Sequence, residues 1–170
     1  MDNSERREKI VSLLMEKPVP VSASKLASKL DVSRQIIVGD VALLRAEGHD
    51  IVSTPRGYVY GEMPDGYTRR IACRHEADGT REELYILVDA GCTVEDVIIE
   101  HPVYGELVGT LQLSSRYDVD EFMDKLSEQK AAPLSALTYG IHLHTIRADS
   151  KKKLDKAVEK LRESGFIYEE

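Results

Sequence analysis

Hydrophobic residues recur every three to four positions in three short stretches of the first 50 residues, which is the spacing of amphipathic helices. We predict a first helix that Ser4 caps and that ends before Pro18, because proline cannot continue a helix. Ser22 or Ser24 begins a second helix, and Ser33 caps a third. The predicted inward-facing residues are Ile10, Val11, Leu13 and Leu14, then Leu26, Ala27 and Leu30, then Ile36, Ile37, Val41 and Leu44.

Beyond residue 66, the patterns of strands and helices alternate. Their order, β-α-β-β-α-β, is that of a ferredoxin-like split βαβ unit, and a charged helix and a short strand follow it as an addition. We therefore predict an α+β fold. The predicted strands are residues 70–75, 94–99, 106–113, 141–146 and 166–168, and the helices are 80–90, Asp118 or Asp120 to 126, and 150–163.

The segment from Gly61 to Gly66 separates these two patterns. It combines glycine, proline and aspartate, which break both helices and strands. We therefore predict two domains, residues 1–64 and residues 65–170. The acidic excess belongs mainly to the second, because residues 1–65 hold 9 basic and 10 acidic side chains and the remainder holds 14 and 20.

The composition of the 170 residues excludes several classes of protein. The hydrophobic content of 42% is too high for a disordered chain. No apolar run approaches the roughly 20 residues of a membrane span, and the polar N-terminus lacks the apolar core of a signal peptide. Cys73 and Cys92 are too few for a disulfide framework. We therefore expect a cytoplasmic protein with no membrane partner.

Two short helices joined by the turn Asp31-Val32 are typical of a helix-turn-helix, whose second helix enters the major groove of DNA. The N-terminal residues of that helix, Ser33, Arg34 and Gln35, suit contacts with phosphate, guanine and adenine. Asp40 opposes this interpretation mildly, because a carboxylate that faced DNA would repel phosphate. The alternative is a three-helix unit whose polar residues are only solvated.

A predicted hairpin follows the third helix. Residues 51–53 and 58–60 favour strands, and Thr54-Pro55-Arg56-Gly57 between them is rich in turn formers. We expect Arg56 to act as a wing on phosphate or the minor groove, and Arg45 to contact the DNA backbone. The net charge of −7 argues against charge-driven coating of nucleic acid, but not against a small DNA-reading surface of this kind.

Histidines in the second domain suggest a metal site. His142 and His144 are two positions apart on a predicted strand, so both imidazoles lie on one face and form a natural chelating pair. His75, at the end of the first strand, and Glu83, in the following helix, can approach that pair. Three imidazoles and a carboxylate suit Zn, Ni, Fe or Mn. Cys73 shares the strand face of His75, as a neighbour rather than a predicted ligand.

Each of these residues also has an interpretation without metal. Glu83 follows Thr80 at the spacing of a capping box, which would hold the carboxylate at the start of its helix. His101 precedes Pro102 in a turn, where it can simply order the loop. His49 is interpreted as a structural or solvated residue. The residue types alone leave both interpretations open.

Several segments together resemble a known family. They are the helix-turn-helix block SASKLASKLDVSRQIIVGDVALLRAEG, His75 with Glu83, His101-Pro102-Val103-Tyr104-Gly105, and Gly140-Ile141-His142-Leu143-His144-Thr145. With them, the chain resembles the 3H-domain transcriptional repressors, and among these the niacin-responsive repressors. The resemblance covers nearly the whole chain, and its specific parts are the segments around His101 and His142.

The resemblance implies a repressor of genes for NAD synthesis or niacin uptake, with nicotinic acid as corepressor in the C-terminal domain. It implies a divalent metal held by His75, Glu83, His142 and His144. It assigns no role to His101 and does not identify the residues that hold the pyridine ring. We also expect a homodimer, since a winged helix reads one half-site of a palindromic operator.

Two other function classes are compatible with the same residues. One is a transcription factor that senses the metal itself or another small molecule. The other is a metalloenzyme with a DNA-binding appendage, in which three histidines and a glutamate activate water. The sequence offers neither a separate general base nor a nucleophile motif such as G-x-S-x-G, so we expect a regulator and not an enzyme.

Overall fold

A computed structural model describes residues 1–16, 19–61 and 66–169. The chain divides into two compact units, Met1–Pro64 and Asp65–Glu170. The predicted linker lies mostly at residues 62–65, outside the described residues. Within the described part of the chain, no helix is long and apolar enough to cross a membrane.

The N-terminal unit contains three helices and a two-stranded hairpin. Asp2 and not Ser4 caps the first helix, because the Asp2 carboxylate accepts from the amide of Glu5, whose carboxylate accepts from the amide of Asp2. Ser22 and Ser33 cap the second and third helices, as predicted. The elements are α1 (Asn3–Glu16), α2 (Ala23–Leu30), α3 (Arg34–Ala46), β1 (Ile51–Thr54) and β2 (Gly57–Tyr60).

The core of this unit follows the predicted apolar positions with one correction. Ile36 was predicted to face the core, but its side chain is 42% exposed. The helix instead buries Asp40, which is held by an arginine of α1. The buried hydrophobic residues are Ile10, Leu14, Ala23, Leu26, Ala27, Leu30, Ile37, Val41, Leu44 and Ile51.

The C-terminal unit has the predicted α+β architecture. Its four strands form an antiparallel sheet in the order β3-β6-β4-β5, so the last strand lies between the two strands that the first helix connects. This interleaving is the split βαβ arrangement. The elements are β3 (Tyr67–Arg74), α4 (Thr80–Asp89), β4 (Thr93–His101), β5 (Gly105–Leu113), α5 (Arg116–Glu128), β6 (Ile141–Ala148) and α6 (Lys151–Glu163).

Several boundaries in this unit differ from the prediction for local reasons. Helix α5 begins before Asp118, because Ser115 caps the helix. The Ser115 hydroxyl accepts a hydrogen bond from the Asp118 amide. Two 3₁₀ helices, Ala77–Gly79 and Leu134–Thr138, carry no strong periodic pattern and were not predicted. The terminal segment forms a single β-bridge between Cys73 and Ile167 at the edge of β3.

Helices α4, α5 and α6 contribute to the core of this unit, together with alternate residues of the strands. On β6, the buried positions are His142, His144, Ile146 and Ala148. The imidazoles of His142 and His144 therefore lie on the same face of β6 as Ile146. Cys73 on β3 lies directly opposite His142. These two polar residues therefore lie in the apolar interior of the unit and not on its surface.

Candidate functional site

The third helix presents its N-terminal residues to solvent, as a DNA-reading helix requires. Arg34 and Gln35 are exposed in its first turn. The hydroxyl of Ser33 accepts from the Ile36 amide at 3.3 Å, so that oxygen already serves the helix. Asp40 points the other way, where Arg6 donates Nε to Oδ2 at 2.6 Å and Nη2 to Oδ1 at 3.1 Å. The carboxylate is thus neutralised inside the unit.

The two other predicted DNA contacts occupy different environments. Arg45 donates to the carbonyl oxygen of Ile51 at 2.8 Å and to the hydroxyl of Ser53 at 2.6 Å, and its guanidinium lies over the ring of Tyr58. It therefore joins the end of α3 to the hairpin. Arg56 lies in the turn between β1 and β2, as predicted for a wing. Contacts of either residue with DNA stay a prediction.

The structure brings His75, Glu83, His142 and His144 together in one cluster. The Nε2 atom of His142 lies 3.1 Å from Oε1 and 3.0 Å from Oε2 of Glu83, and the Nε2 atoms of His75 and His144 also contact that carboxylate. The side chains are nearly inaccessible, with exposed fractions of 6% or less. His75, which directly follows β3, therefore meets Glu83 of α4 and the two histidines of β6 at one buried point.

The other nitrogen of each imidazole is held by the backbone. Nδ1 of His75 lies 2.6 Å from the carbonyl oxygen of Glu76, Nδ1 of His142 lies 2.8 Å from that of Gly140, and Nδ1 of His144 lies 2.6 Å from that of Asp96. A carbonyl oxygen only accepts, so each Nδ1 carries a proton. This fixes the tautomer and directs three Nε2 atoms at the cluster, which is the usual support for metal-binding histidines.

The electrostatics of the cluster require positive charge. Burial alone would raise the pKa of Glu83, but His144 and His142 outweigh it and hold that pKa well below its usual range. Burial likewise opposes the charged form of His144, yet the carboxylate of Glu83 raises its pKa. Neutral imidazoles would present Nε2 lone pairs to a carboxylate, so the cluster needs either protons or a cation there. A divalent metal fits this donor set.

The sequence comparisons connect this arrangement to a family. Residues 68–170 match the 3H domain. The chain belongs to the 3H-domain family. Residues 6–59 of this 3H-domain protein match the HTH domain, in agreement with α2 and α3.

Two relatives align along nearly the whole 3H-domain chain. It is 42% identical over 166 residues to the probable transcription repressor NiaR of Thermotoga maritima, and the alignment covers 98% of this chain and 95% of that protein. It is 41% identical over 169 residues to the transcription repressor NadR of Bacillus subtilis, with 97% and 94% covered. The chain is therefore a helix-turn-helix transcription repressor and a regulator rather than an enzyme, as predicted.

The capping-box interpretation of Glu83 in the 3H domain is wrong. Thr80 is the first residue of α4 and not its cap, and Gly79 at the cap position makes no side-chain hydrogen bond. Among the described residues, the Thr80 hydroxyl oxygen has no hydrogen-bond partner. The carboxylate of Glu83 therefore does not cap α4 and contacts the histidines instead. The positive end of the helix dipole still favours its negative charge.

Cys73 lies beside the cluster. Its Sγ atom, an oxygen of Glu83 and a nitrogen of His142 lie within 4.8 Å of one another, which alone would suggest a mixed Cys, Glu and His site. Burial raises the pKa of the Cys73 thiol far above its usual range, and the negative charge of Glu83 raises it further. In the metal-free protein the thiol is therefore neutral, and the predicted ligand set of three imidazoles and the carboxylate, which does not include it, stays a prediction.

Residues that support His75 were missed by the sequence analysis. The ring of Phe166 packs edge-on against His75 with centroids 5.3 Å apart. A Cβ at Gly79 would lie 3.1 Å from the Cβ of His75, and one at Gly140 would lie 2.3 Å from its carbonyl oxygen. Gly140 precedes His142 by two residues, but no pattern in the sequence indicates that it touches His75 from a distant strand.

The two remaining histidines lie elsewhere. Nδ1 of His49 is 3.0 Å from the hydroxyl of Tyr60 in the N-terminal unit. Nδ1 of His101 accepts from the amides of Val103 and Tyr104 at 3.1 and 3.3 Å. Both residues therefore have the structural contacts that their alternative interpretation predicted, and His101 orders the β4–β5 turn.

The C-terminal unit also contains a cavity of about 520 Å³. It is lined by strands β4 and β6 and by the 3₁₀ helix Leu134–Thr138, and it shares His142 with the cluster. Its walls are mostly apolar, with Ile98 and Leu143 opposite each other in the sheet. The volume lies within the range of about 300–1,000 Å³ that is typical of small-molecule sites.

We expect the metal-free and metal-loaded proteins to respond oppositely to pH. Because folding lowers the pKa of Glu83, its carboxylate stabilises the folded protein above pH 4.5, the ordinary pKa. This stabilisation is lost as the pH falls through the lower pKa of the folded state. Because folding raises the pKa of His144, its protonated imidazole stabilises the folded protein below pH 6.5, the ordinary pKa. This stabilisation is lost as the pH rises through the higher pKa of the folded state. The metal-free melting temperature should therefore be highest between these two values and fall toward alkaline pH.

Metal binding reverses this trend, because a ligand imidazole must be unprotonated at Nε2. The stabilisation by Zn²⁺ should grow across the pH range in which the metal-free protein weakens. Melting curves with a chelator and with excess Zn²⁺, recorded in one buffer series from about pH 5 to pH 8, measure both slopes. Parallel slopes would contradict the assignment of the histidines.

Proposed function

We propose that this repressor binds a divalent transition metal through His75, Glu83, His142 and His144, and uses nicotinic acid as corepressor. Its targets would be genes for NAD synthesis or niacin uptake. The observation that carries the proposal is the convergence of three Nε2 atoms on a buried carboxylate, with every Nδ1 anchored to a backbone carbonyl. The names of the relatives support the regulatory part.

The donor set favours Zn, Ni, Fe or Mn. Imidazole suits the first three, and a carboxylate oxygen extends the choice to Mn. When bound, the metal supplies a Lewis-acidic position that a ligand carboxylate can occupy. The chain's own residues hold the donors: carbonyl oxygens fix the imidazoles, and the start of α4 supports the charge of Glu83.

The cavity beside His142 is a suitable place for a pyridine ring. Ile98 and Leu143 offer apolar surface to an aromatic ring, and His142 of the cluster is also among the lining residues. Glu100 and Glu106 also line it and would repel an anion, but Arg70 lies 3.4 Å from Glu106 and offsets part of that charge. We therefore expect an anionic ligand to depend on the metal for its binding.

We assign metal binding, effector binding and dimerisation to residues 65–170, and operator binding to residues 1–64. Each winged helix would read one half-site, so a two-fold homodimer would read a palindrome. Nicotinic acid would favour the dimer geometry that matches the spacing of the half-sites. By linkage, operator and nicotinic acid then strengthen each other's binding by the same factor.

Operator titrations of the metal-loaded protein test the corepressor assignment. We expect saturating nicotinic acid to tighten operator binding by roughly 5- to 150-fold, the usual range of allosteric coupling. Nicotinamide, which lacks the carboxylate, is the matched control and should have little effect. Unchanged operator affinity at saturating nicotinic acid would reject the corepressor, while the metal assignment would stand or fall separately.

A metal-sensing transcription factor is the second candidate, and the same cluster favours it. In that case, metal alone would change operator affinity and nicotinic acid would add nothing. Titrating operator binding with Zn²⁺ in the absence of nicotinic acid separates the two. Mass spectrometry of the intact complex, or light scattering with operator, measures the expected dimer.

A further inference from the structure

Helix α3 leaves an apolar surface uncovered next to its DNA-reading residues. Ile36 is 42% exposed and Leu43 is 51% exposed, although the helix buries Ile37, Val41 and Leu44. Ile36, Gly39 and Leu43 are separated by three and four residues and therefore lie on one side of the helix. We call this side the Ile36–Gly39 face.

Gly39 is not in close contact with the described residues outside its own helix. It lies in the middle of an α-helix, where glycine is less stable than alanine. A Cβ built there would meet no described atom within 4 Å, apart from the neighbouring backbone of its own helix. The missing side chain therefore leaves room for something outside the chain.

The charges around this face suit DNA. Arg34 and Gln35 are exposed one turn before Gly39. Asp40, the acidic residue of α3, is turned inward onto Arg6 and is only 4% exposed. The Ile36–Gly39 face therefore presents apolar groups and a close approach to the helix backbone, with no carboxylate from α3 directed at phosphate.

In the major groove, the C5-methyl group of thymine is the apolar feature that distinguishes bases. We propose that Ile36 reads a thymine methyl group in each half-site, and that Gly39 lets the helix backbone come close enough for that contact. Arg34 and Gln35 then read neighbouring bases by hydrogen bonds. The inference rests on operator binding and is independent of the metal and the corepressor.

Thymine-to-uracil substitution tests this directly, because deoxyuridine lacks only the methyl group. The operator is first selected from a random duplex library by the full-length protein, in parallel with and without Zn²⁺ and nicotinic acid. Each thymine is then replaced in turn. We expect one position in each half-site to lose affinity about fourfold, the factor for burying one methyl group.

Three variants assign the contact. Ile36→Ala should weaken binding to the selected operator and become indifferent to uracil at that position. Leu43→Ala, the matched control with similar exposure about two turns further along the same helix, should keep the fourfold sensitivity. Gly39→Ala should raise the melting temperature of the N-terminal unit yet lower operator affinity about tenfold, the scale of one mismatched base pair.

Persistence of full uracil sensitivity in Ile36→Ala, or its loss in Leu43→Ala, would overturn the assignment. Wild-type operator affinity in Gly39→Ala would overturn the close approach. The absence of any methyl-sensitive thymine in an enriched site would reject the inference while leaving operator binding intact. Failure to enrich any duplex would instead reject operator binding itself.

Discussion

Replacing both His142 and His144 with alanine should abolish metal retention. These residues carry two of the three Nε2 atoms that converge on Glu83, so if they are ligands, the loss of metal affinity should exceed the 10- to 100-fold loss that follows removal of a supporting partner alone. We expect the purified variant to keep almost no Zn²⁺ after dialysis, whereas the unaltered protein keeps about one ion per chain. Metal analysis by mass spectrometry measures this ratio.

The matched control is His49→Ala with His101→Ala, which removes two histidines that lie outside the cluster. It should keep its metal. Since the alanine pair also leaves Glu83 with less positive charge nearby, Glu83→Gln serves as a second variant that keeps the shape of the side chain. Circular dichroism confirms folding of each variant. Full metal occupancy in a folded His142→Ala, His144→Ala protein would reject the ligand assignment.

How far the cluster could be predicted depends on the kind of signal each residue carries. The alternation of a strand places His142 and His144 on one face without any knowledge of the rest of the fold. His75 and Glu83 require the first strand and the following helix to be near the fourth strand, which the order of elements indicates. The contact of Gly140 with His75 lies beyond this reasoning, since it depends on the register between β3 and β6.

The errors in the helices have two origins. Periodicity placed Ile36 in the core because it lies next to Ile37, but the core accepts only one side of α3. Asp40 looked like a cost to DNA binding because its partner, Arg6, is 34 positions away. Thr80 and Glu83 have the spacing of a capping box, yet the 3₁₀ turn before α4 moves the helix start by one residue. The first two errors concern tertiary contacts that outweigh a local preference, and the third concerns a local turn that the sequence pattern does not show.

The acidic charge and the DNA-binding function are compatible for a structural reason. Most of the excess of acidic residues belongs to the C-terminal unit. In the N-terminal unit, Asp40 is neutralised by Arg6, while Arg34 stays exposed at the start of α3. The local charge at the DNA-reading helix thus differs in sign from the net charge of the chain, and operator binding should weaken with salt.

The second large effect is expected from Gly140→Ala. Gly140 has a φ of +89°, a conformation that costs an L-residue about 1–2 kcal/mol. Its new Cβ would also lie 2.3 Å from the carbonyl oxygen of His75, and backbone atoms cannot yield cheaply. We expect a total loss of about 3 kcal/mol or more. The melting temperature of the C-terminal unit should fall by about 10 °C or more.

Gly105→Ala is the matched control, because Gly105 has a φ of +72° but nothing within 4 Å of its would-be Cβ among the described residues. It carries the conformational cost without the collision, so its loss should stay near about 1–2 kcal/mol. Gly140→Ala should also reduce metal affinity, since Gly140 contributes the carbonyl that anchors Nδ1 of His142 and contacts the strand end that carries His75. Equal melting temperatures for the two variants would show that Gly140, in the turn before β6, does not pack closely against His75. This result would also contradict the position of His75 in the cluster.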